Sequence, residues 1–184
     1  MKKIIVALIT LVVFASCQEQ QKIAFIDNSK VINDYQMKID IEEKFKGKDE
    51  VFKKRMDSVG KAFQTEAQKL SVDAQKMSRT KQEEIYNELG QKQQMLQQQF
   101  QYEQQLMQQE FNTEIDSVIS KVRTFVEDYG KDNGYTYILG KNEAGSVMYG
   151  SDANDISETI TKALNDAYGK KDAEASTSEE AKEE

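Results

Sequence analysis

No proline occurs anywhere in the 184 residues, and glycine appears only nine times. Proline ends a helix more firmly than any other residue, because it lacks an amide proton and its ring collides with the preceding turn. Turns recruit it for its fixed backbone angle. A chain without it has little to interrupt helices, so long helices are the natural expectation.

The apolar pattern supports this in two stretches. From residue 36 to residue 77, Phe45, Phe52 and Val59 form one row, and Met56, Phe63, Leu70 and Met77 form the next. Both rows step by seven, a heptad stripe. From residue 81 to residue 129 the period changes. Ile85/Leu89, Leu96/Phe100, Met107/Phe111 and Val118/Val122 are pairs spaced four apart, each beginning eleven residues after the last, and Tyr129 opens the next period. Eleven residues over three turns favour a nearly straight or slightly right-handed path, whereas a heptad favours a left-handed one.

Read as the two arms of a hairpin, such helices cannot share one tight seam. The expectation is a loosely packed, flexible arm on the order of 60–70 Å long. Gly47 and Gly60 each weaken it by up to about 1 kcal/mol. The turn falls between residues 71 and 80, and Thr80-Lys81-Gln82-Glu83 has the spacing of a capping box. The glutamine-dense run 91–109 reads as a solvated face, or as an uncharged surface able to contact unfolded chains through both donor and acceptor groups.

The flanking segments are short. Residues 22–27 read as a strand, broken by Asn28-Ser29, with a short helical or irregular stretch to Tyr35. Gly130 is the expected cap of the second long helix. Residues 135–139 and 146–149 read as a two-stranded hairpin around a loop at 140–145. Asp152 or Asn154 is placed to cap a last helix that buries Ile156, Ile160, Ala163, Leu164 and Ala167. From Gly169 the chain has almost no apolar residues, and residues 169–184 are expected to be a disordered acidic tail.

The expected fold is therefore α+β and mostly helical: a long antiparallel hairpin (residues 36–130) on a small β-rich body made of residues 18–35 and 131–168. With the arm set aside, the body has about 50–60 residues, a size at which a core is marginal alone. One cysteine and no histidine leave no disulfide or metal site to reinforce it. Association of several subunits remains, with Ile23, Phe25, Ile138 and Val147 expected in a shared core.

The first seventeen residues read as an export signal. Lys2 and Lys3 precede an apolar run from Ile4 to Ala15, too short for a permanent span. The run ends Phe14-Ala15-Ser16-Cys17, which is similar to a lipobox, where cleavage precedes a cysteine that is then lipidated. Ordinary signal cleavage after Cys17 is the alternative. Lipidation accounts better for one unpaired thiol in an exported chain, and acyl chains would hold the protein at a membrane.

Several functions are disfavoured. The formal charge is −7, and −9 once Lys2 and Lys3 leave with the signal; a polyanion requires a basic surface, so nucleic acid is not a partner. Without histidine the commonest acid/base and metal ligand is missing. No phosphate-binding loop, nucleophile elbow or zinc-protease motif occurs. No enzyme activity and no cofactor are expected.

The segments KIAFIDNSKVINDY, EEKFKGKDEVFKKRMDSVGKAFQTEAQKL and NGYTYILGKNEAGSVMYGSDANDISETITKAL resemble the Skp/OmpH family of periplasmic chaperones, over nearly all of residues 22–168. That resemblance implies a homotrimer with a β-rich body and helical tentacles around a cavity. It also implies an ATP-independent holdase for unfolded outer-membrane proteins. Two features differ from the family pattern: this chain is acidic, and it carries the lipobox-like Cys17. Lys69, Lys76, Arg79 and Lys81 still make the tip locally basic, suited to anionic headgroups or simply solvated. A structural or adaptor lipoprotein that docks one folded partner is the competing reading.

Overall fold

The computed structural model describes residues 21–180, and side chains as far as residue 170. The export signal and Cys17 lie outside the described residues. The elements run β1 (Ile23–Asp27), α1 (Asn28–Asn33), α2 (Gln36–Ala74), α3 (Arg79–Asp132), β2 (Tyr137–Lys141), a 3-10 turn (Asp152–Asn154) and α4 (Ser157–Glu180). This is a mostly helical α+β fold, a long antiparallel helical hairpin on a small base.

Asp27 ends β1 and starts α1, its carboxylate accepting from the Lys30 amide at 3.0 Å. The hairpin follows directly. Its helices have 39 and 54 residues, about 58 and 81 Å at 1.5 Å per residue. The difference arises because α3 runs on past the start of α2 into the base.

Residues 75–78 link the two helices, held by the Lys76 amide on the Asp73 carbonyl (3.1 Å) and the Met77 amide on that of Ala74 (2.9 Å). The expected Thr80–Glu83 capping box does not form. Ser78 is the extended residue before the helix, so Thr80 already lies within the first turn. No side chain caps that end, although the Gln82 side-chain amide donates to the Met77 carbonyl at 3.2 Å.

The far end of α3 is also corrected. Gly130 is inside the helix and buried, because a Cβ there would stand 3.3 Å from Ile138 Cδ1. The helix stops at Gly134, whose φ is +68°. The Tyr135 amide reaches the Gly130 carbonyl at 2.9 Å and the Gly134 amide that of Lys131 at 3.3 Å, a Schellman termination. Gly134→Ala is expected to cost about 1–2 kcal/mol, the strain of a Cβ in left-handed backbone, read as a lower melting temperature.

The β structure differs from the expected hairpin. Only residues 137–141 form a strand, and they pair with β1 in parallel, Ile23 opposite Tyr137 through Asp27 opposite Lys141. Residues 146–149 make no strand. The Ser146 hydroxyl donates to the Gly140 carbonyl (2.5 Å) and closes the turn beside Gly145, φ +81°. The other edge of β1 is already taken: Phe25 bridges Asp155, and the Ile156 amide donates to the Phe25 carbonyl at 3.0 Å. Residues 146–149 follow the turn at Gly145 without pairing to β2, and Met148 and Tyr149 stay exposed.

Asp152 and Asn154 belong to the 3-10 turn and do not cap α4. Asp155 serves instead, its Oδ1 accepting from the Ser157 amide (2.9 Å) and hydroxyl (2.5 Å). The helix continues to Glu180, beyond Gly169, where the sequence suggests that regular structure ends.

The largest correction concerns the core. Ile26, Val31, Tyr35, Ile41, Phe45, Val118, Val122, Ile160 and Leu164 form one buried cluster. Ile41, Phe45, Val118 and Val122 are residues of the long helices. The base of the arm is thus part of the body, so one subunit owns more apolar interior than the count without the arm suggests.

Candidate functional site

The heptad and the eleven-residue repeat meet along the arm. Phe45 packs edge-on against Phe111 (ring centroids 5.2 Å apart) and Phe52 against Phe100 (5.9 Å). Between these contacts α2 advances seven residues and α3 eleven, a difference of about 6 Å in rise. Each edge-to-face pair contributes about 0.5–1.5 kcal/mol beyond burial. Between them lies a cleft of about 520 Å³ whose apolar walls are Val51, Phe52, Leu106 and Met107, beside the bare backbone of Gly47.

The eleven-residue repeat has a third inward position that the apolar pairs do not reveal. Lys92, Glu103 and Glu114 follow Ile85/Leu89, Leu96/Phe100 and Met107/Phe111, and each is partly buried. All three reach α2. Lys92 pairs with Glu66 (2.5 Å), Glu103 with Arg55 and Glu114 with Lys44 (2.6 Å), and Glu110 adds a pair with Lys48 at 2.6 Å. The Lys48 hydrogen bond holds the Glu110 carboxyl below its ordinary 4.5, and the Glu114 hydrogen bond holds the Lys44 amine above its ordinary 10.5. These charged residues escaped the apolar pattern, yet their period in the sequence matches it.

On the flank of the cleft, Val51 is 66% exposed and Leu106 44%. Tyr102 lies one turn before Leu106 and Met95 three turns before it, and both are exposed. The flank thus carries a stripe of uncovered apolar side chains.

The sheet offers a second uncovered face. Ile23, Phe25, Tyr137 and Leu139 share it by alternation, whereas Ala24, Ile26 and Ile138 point into the chain's own core. Ile23, Tyr137 and Leu139 are exposed; Phe25 is covered, its ring meeting the backbone of Gly150. Of the expected shared-core residues, Ile23 and Phe25 lie on this outer face. Ile138 does not, because it packs against Gly130. Val147 sits half-buried in the turn region, with exposed Met148 and Tyr149 after it.

At the tip, Lys81 pairs with Glu84 at 2.9 Å, while Lys69, Lys76 and Arg79 have no ion pair among the described residues. Val72 and Met77 are exposed beside them. Among the described residues no group of three or more His, Cys, Asp or Glu is placed to hold a metal ion, and no helix is long and apolar enough to cross a membrane.

A small α+β base bearing one long, imperfectly seamed helical hairpin defines a recognisable class of protein. The chain belongs to the OmpH-like family: the family model described as Outer membrane protein (OmpH-like) matches residues 22–164. Its fold is similar to the crystal structure of an OmpH-like protein from Caulobacter crescentus CB15, described there as a candidate outer membrane chaperone. The TM-score is 0.71 at 14% identity, over 82% of this chain and 87% of that one. No curated protein matches the chain.

Proposed function

We propose that this protein is an ATP-independent holdase of the periplasm, which shelters unfolded outer-membrane or envelope proteins between the arms of a homotrimer. The observation that carries this reading is the arm itself, with its open seam and uncovered stripe of Val51, Met95, Tyr102 and Leu106. A loose seam lets the arm follow clients of different size, and exposed apolar residues take up their unsatisfied apolar segments. The outer sheet face, with Ile23, Tyr137 and Leu139 uncovered, is where the subunits would meet. Cys17 would anchor the base at a membrane through its lipid. The unpaired tip cations Lys76 and Arg79, with Lys81, would approach anionic headgroups. The protein acts by binding, without catalysis or cofactor.

The test is dilution of a urea-unfolded β-barrel protein into buffer with and without the purified protein, followed by light scattering, with no nucleotide present. One trimer per client is expected to suppress aggregation; no suppression at that ratio overturns the holdase reading. A single folded partner co-purifying at fixed ratio would favour an adaptor instead. The double variant V51S/L106S is expected to stay folded, with stability changed by about 0.5 kcal/mol or less per site. Its client affinity should fall by roughly threefold to tenfold, the loss of up to about 1.4 kcal/mol of apolar contact.

A further inference from the structure

Among the described residues, the four ion pairs that cross the arm lie on one flank. Lys48, Arg55, Glu103 and Glu110 all line the same cleft. Lys44 and Glu114 stand one helical turn from Lys48 and Glu110, and Glu66 and Lys92 stand eleven residues, three turns, from Arg55 and Glu103. Turns of that spacing keep side chains on one side of a helix.

The opposite flank is different. Exposed Gln97, Gln101 and Gln108 each lie one residue beyond an inward position of α3, which turns them to the other side. The nearby Lys53–Asp49 pair on α2 is internal to that helix and ties nothing across. Among the described residues no ion pair joins the helices on that flank.

The two kinds of contact also keep different steps. From Lys44 to Lys48, Arg55 and Glu66 the steps on α2 are four, seven and eleven, and the partners on α3 step back by the same amounts. The ring contacts step seven against eleven. One register is therefore written in the ion pairs, whereas the ring contacts keep no common step on the two helices.

We propose that this one-sided ladder is a clasp that sets the register of the arm and holds its cleft flank closed. Its members are partly exposed, from 26% to 50% for the pairs nearest the cleft mouth, so ionic strength reaches them. Screening loosens the clasp while the ring contacts hold the helices together. The arm then opens toward the cleft flank and not toward the glutamine flank, widening access to Val51, Phe52, Leu106 and Met107. This conformational device is independent of what the arm holds.

The experiment uses spin-label pairs in the full chain carrying Cys17→Ser, mixed with excess unlabelled chain. One pair spans the cleft flank (Val51→Cys with Leu106→Cys), the other the glutamine flank (Met56→Cys with Gln101→Cys). Distances are compared at about 0.01 M and about 1 M salt, Debye lengths of about 30 and 3 Å. The cleft-flank distribution is expected to broaden and lengthen with salt while the other stays fixed. The variant E103K/E110K should show the broad distribution already at low salt, and adding K48E and R55E should restore the narrow one. Circular dichroism confirms that each variant keeps its helix content, and the restoring swap separates lost pairing from misfolding. No change on either flank, equal broadening of both, or a charge swap that fails to restore would each overturn the clasp.

Discussion

Ile160→Ala is expected to lower the free energy of unfolding by about 2–5 kcal/mol, the range for deleting a fully buried branched side chain and leaving a partly unrelaxed cavity. Ile160 has no exposed surface and belongs to the cluster that joins α4 to β1, α1 and the lower turns of both long helices. Its loss loosens the base from which the arm is levered. Denaturant unfolding at one fixed protein concentration measures it, since the stability of an associating chain depends on concentration. A cost below about 1 kcal/mol would mean that this cluster does not hold the base together. Val51→Ala, at a site 66% exposed, is the matched control and should change stability by about 0.5 kcal/mol or less.

Ser157→Ala is expected to cost about 1–3 kcal/mol, the penalty for leaving a buried polar group without its partner. Ser157 is 2% exposed, and its hydroxyl works in both directions: it accepts from the Asp27 amide at 2.8 Å and donates to Asp155 Oδ1 at 2.5 Å. One oxygen thus ties the end of β1 to the start of α4. Removal strands the Asp27 amide and leaves the Asp155 carboxylate with only the residue-157 amide of its two hydrogen bonds.

A pH signature separates this from simple loss of volume. Burial pushes the Asp155 carboxyl upward, but the hydrogen bonds from the Ser157 hydroxyl and amide outweigh it, with help from Lys30 and Lys141, and hold it below its ordinary 3.8. The folded value is depressed, so the stabilisation is present above 3.8 and is lost as pH falls through the lowered value. In the alanine variant the carboxyl should titrate higher, and the stability difference between wild type and variant should shrink in acid. NMR titration of Asp155 with unfolding at neutral and acid pH checks both. An unchanged Asp155 titration would show that the hydroxyl does not hold the carboxylate.

Glu110, held low by Lys48, sits in the same sense: its contribution survives above 4.5 and fades in acid. Acid and salt therefore weaken the Lys48–Glu110 pair by different routes, protonation of Glu110 in one case and screening in the other.

How far the sequence revealed this fold depends on the range of the information involved. The long helices and the change from a seven- to an eleven-residue period are legible because they repeat along one strand of residues and depend on helix geometry alone. The seam mismatch follows from them, and Phe45/Phe111 with Phe52/Phe100 display it. The third inward position was legible too, but only to a search for charge at the period of the apolar pairs.

The remaining features needed distant parts of the chain. Residues 146–149 alternate as a strand would, yet β2 pairs with distant β1, and the Ser146 hydroxyl turns this segment back onto the Gly140 carbonyl. Gly130 looked like a helix stop from its neighbours, but Ile138 fills the space beside it, and the left-handed turn falls to Gly134. Ile138 alternated with the outward residues of its strand, and only the parallel register with β1 decided which face is inside. By itself the sequence determined periodicity, and with it the helices and their imperfect match, because hydrophobic spacing is a local property of the chain. Only the tertiary structure decided strand partners, the inward face of the sheet and the contribution of the arm to the core, because those depend on which distant surfaces compete for the same apolar contacts and backbone hydrogen bonds.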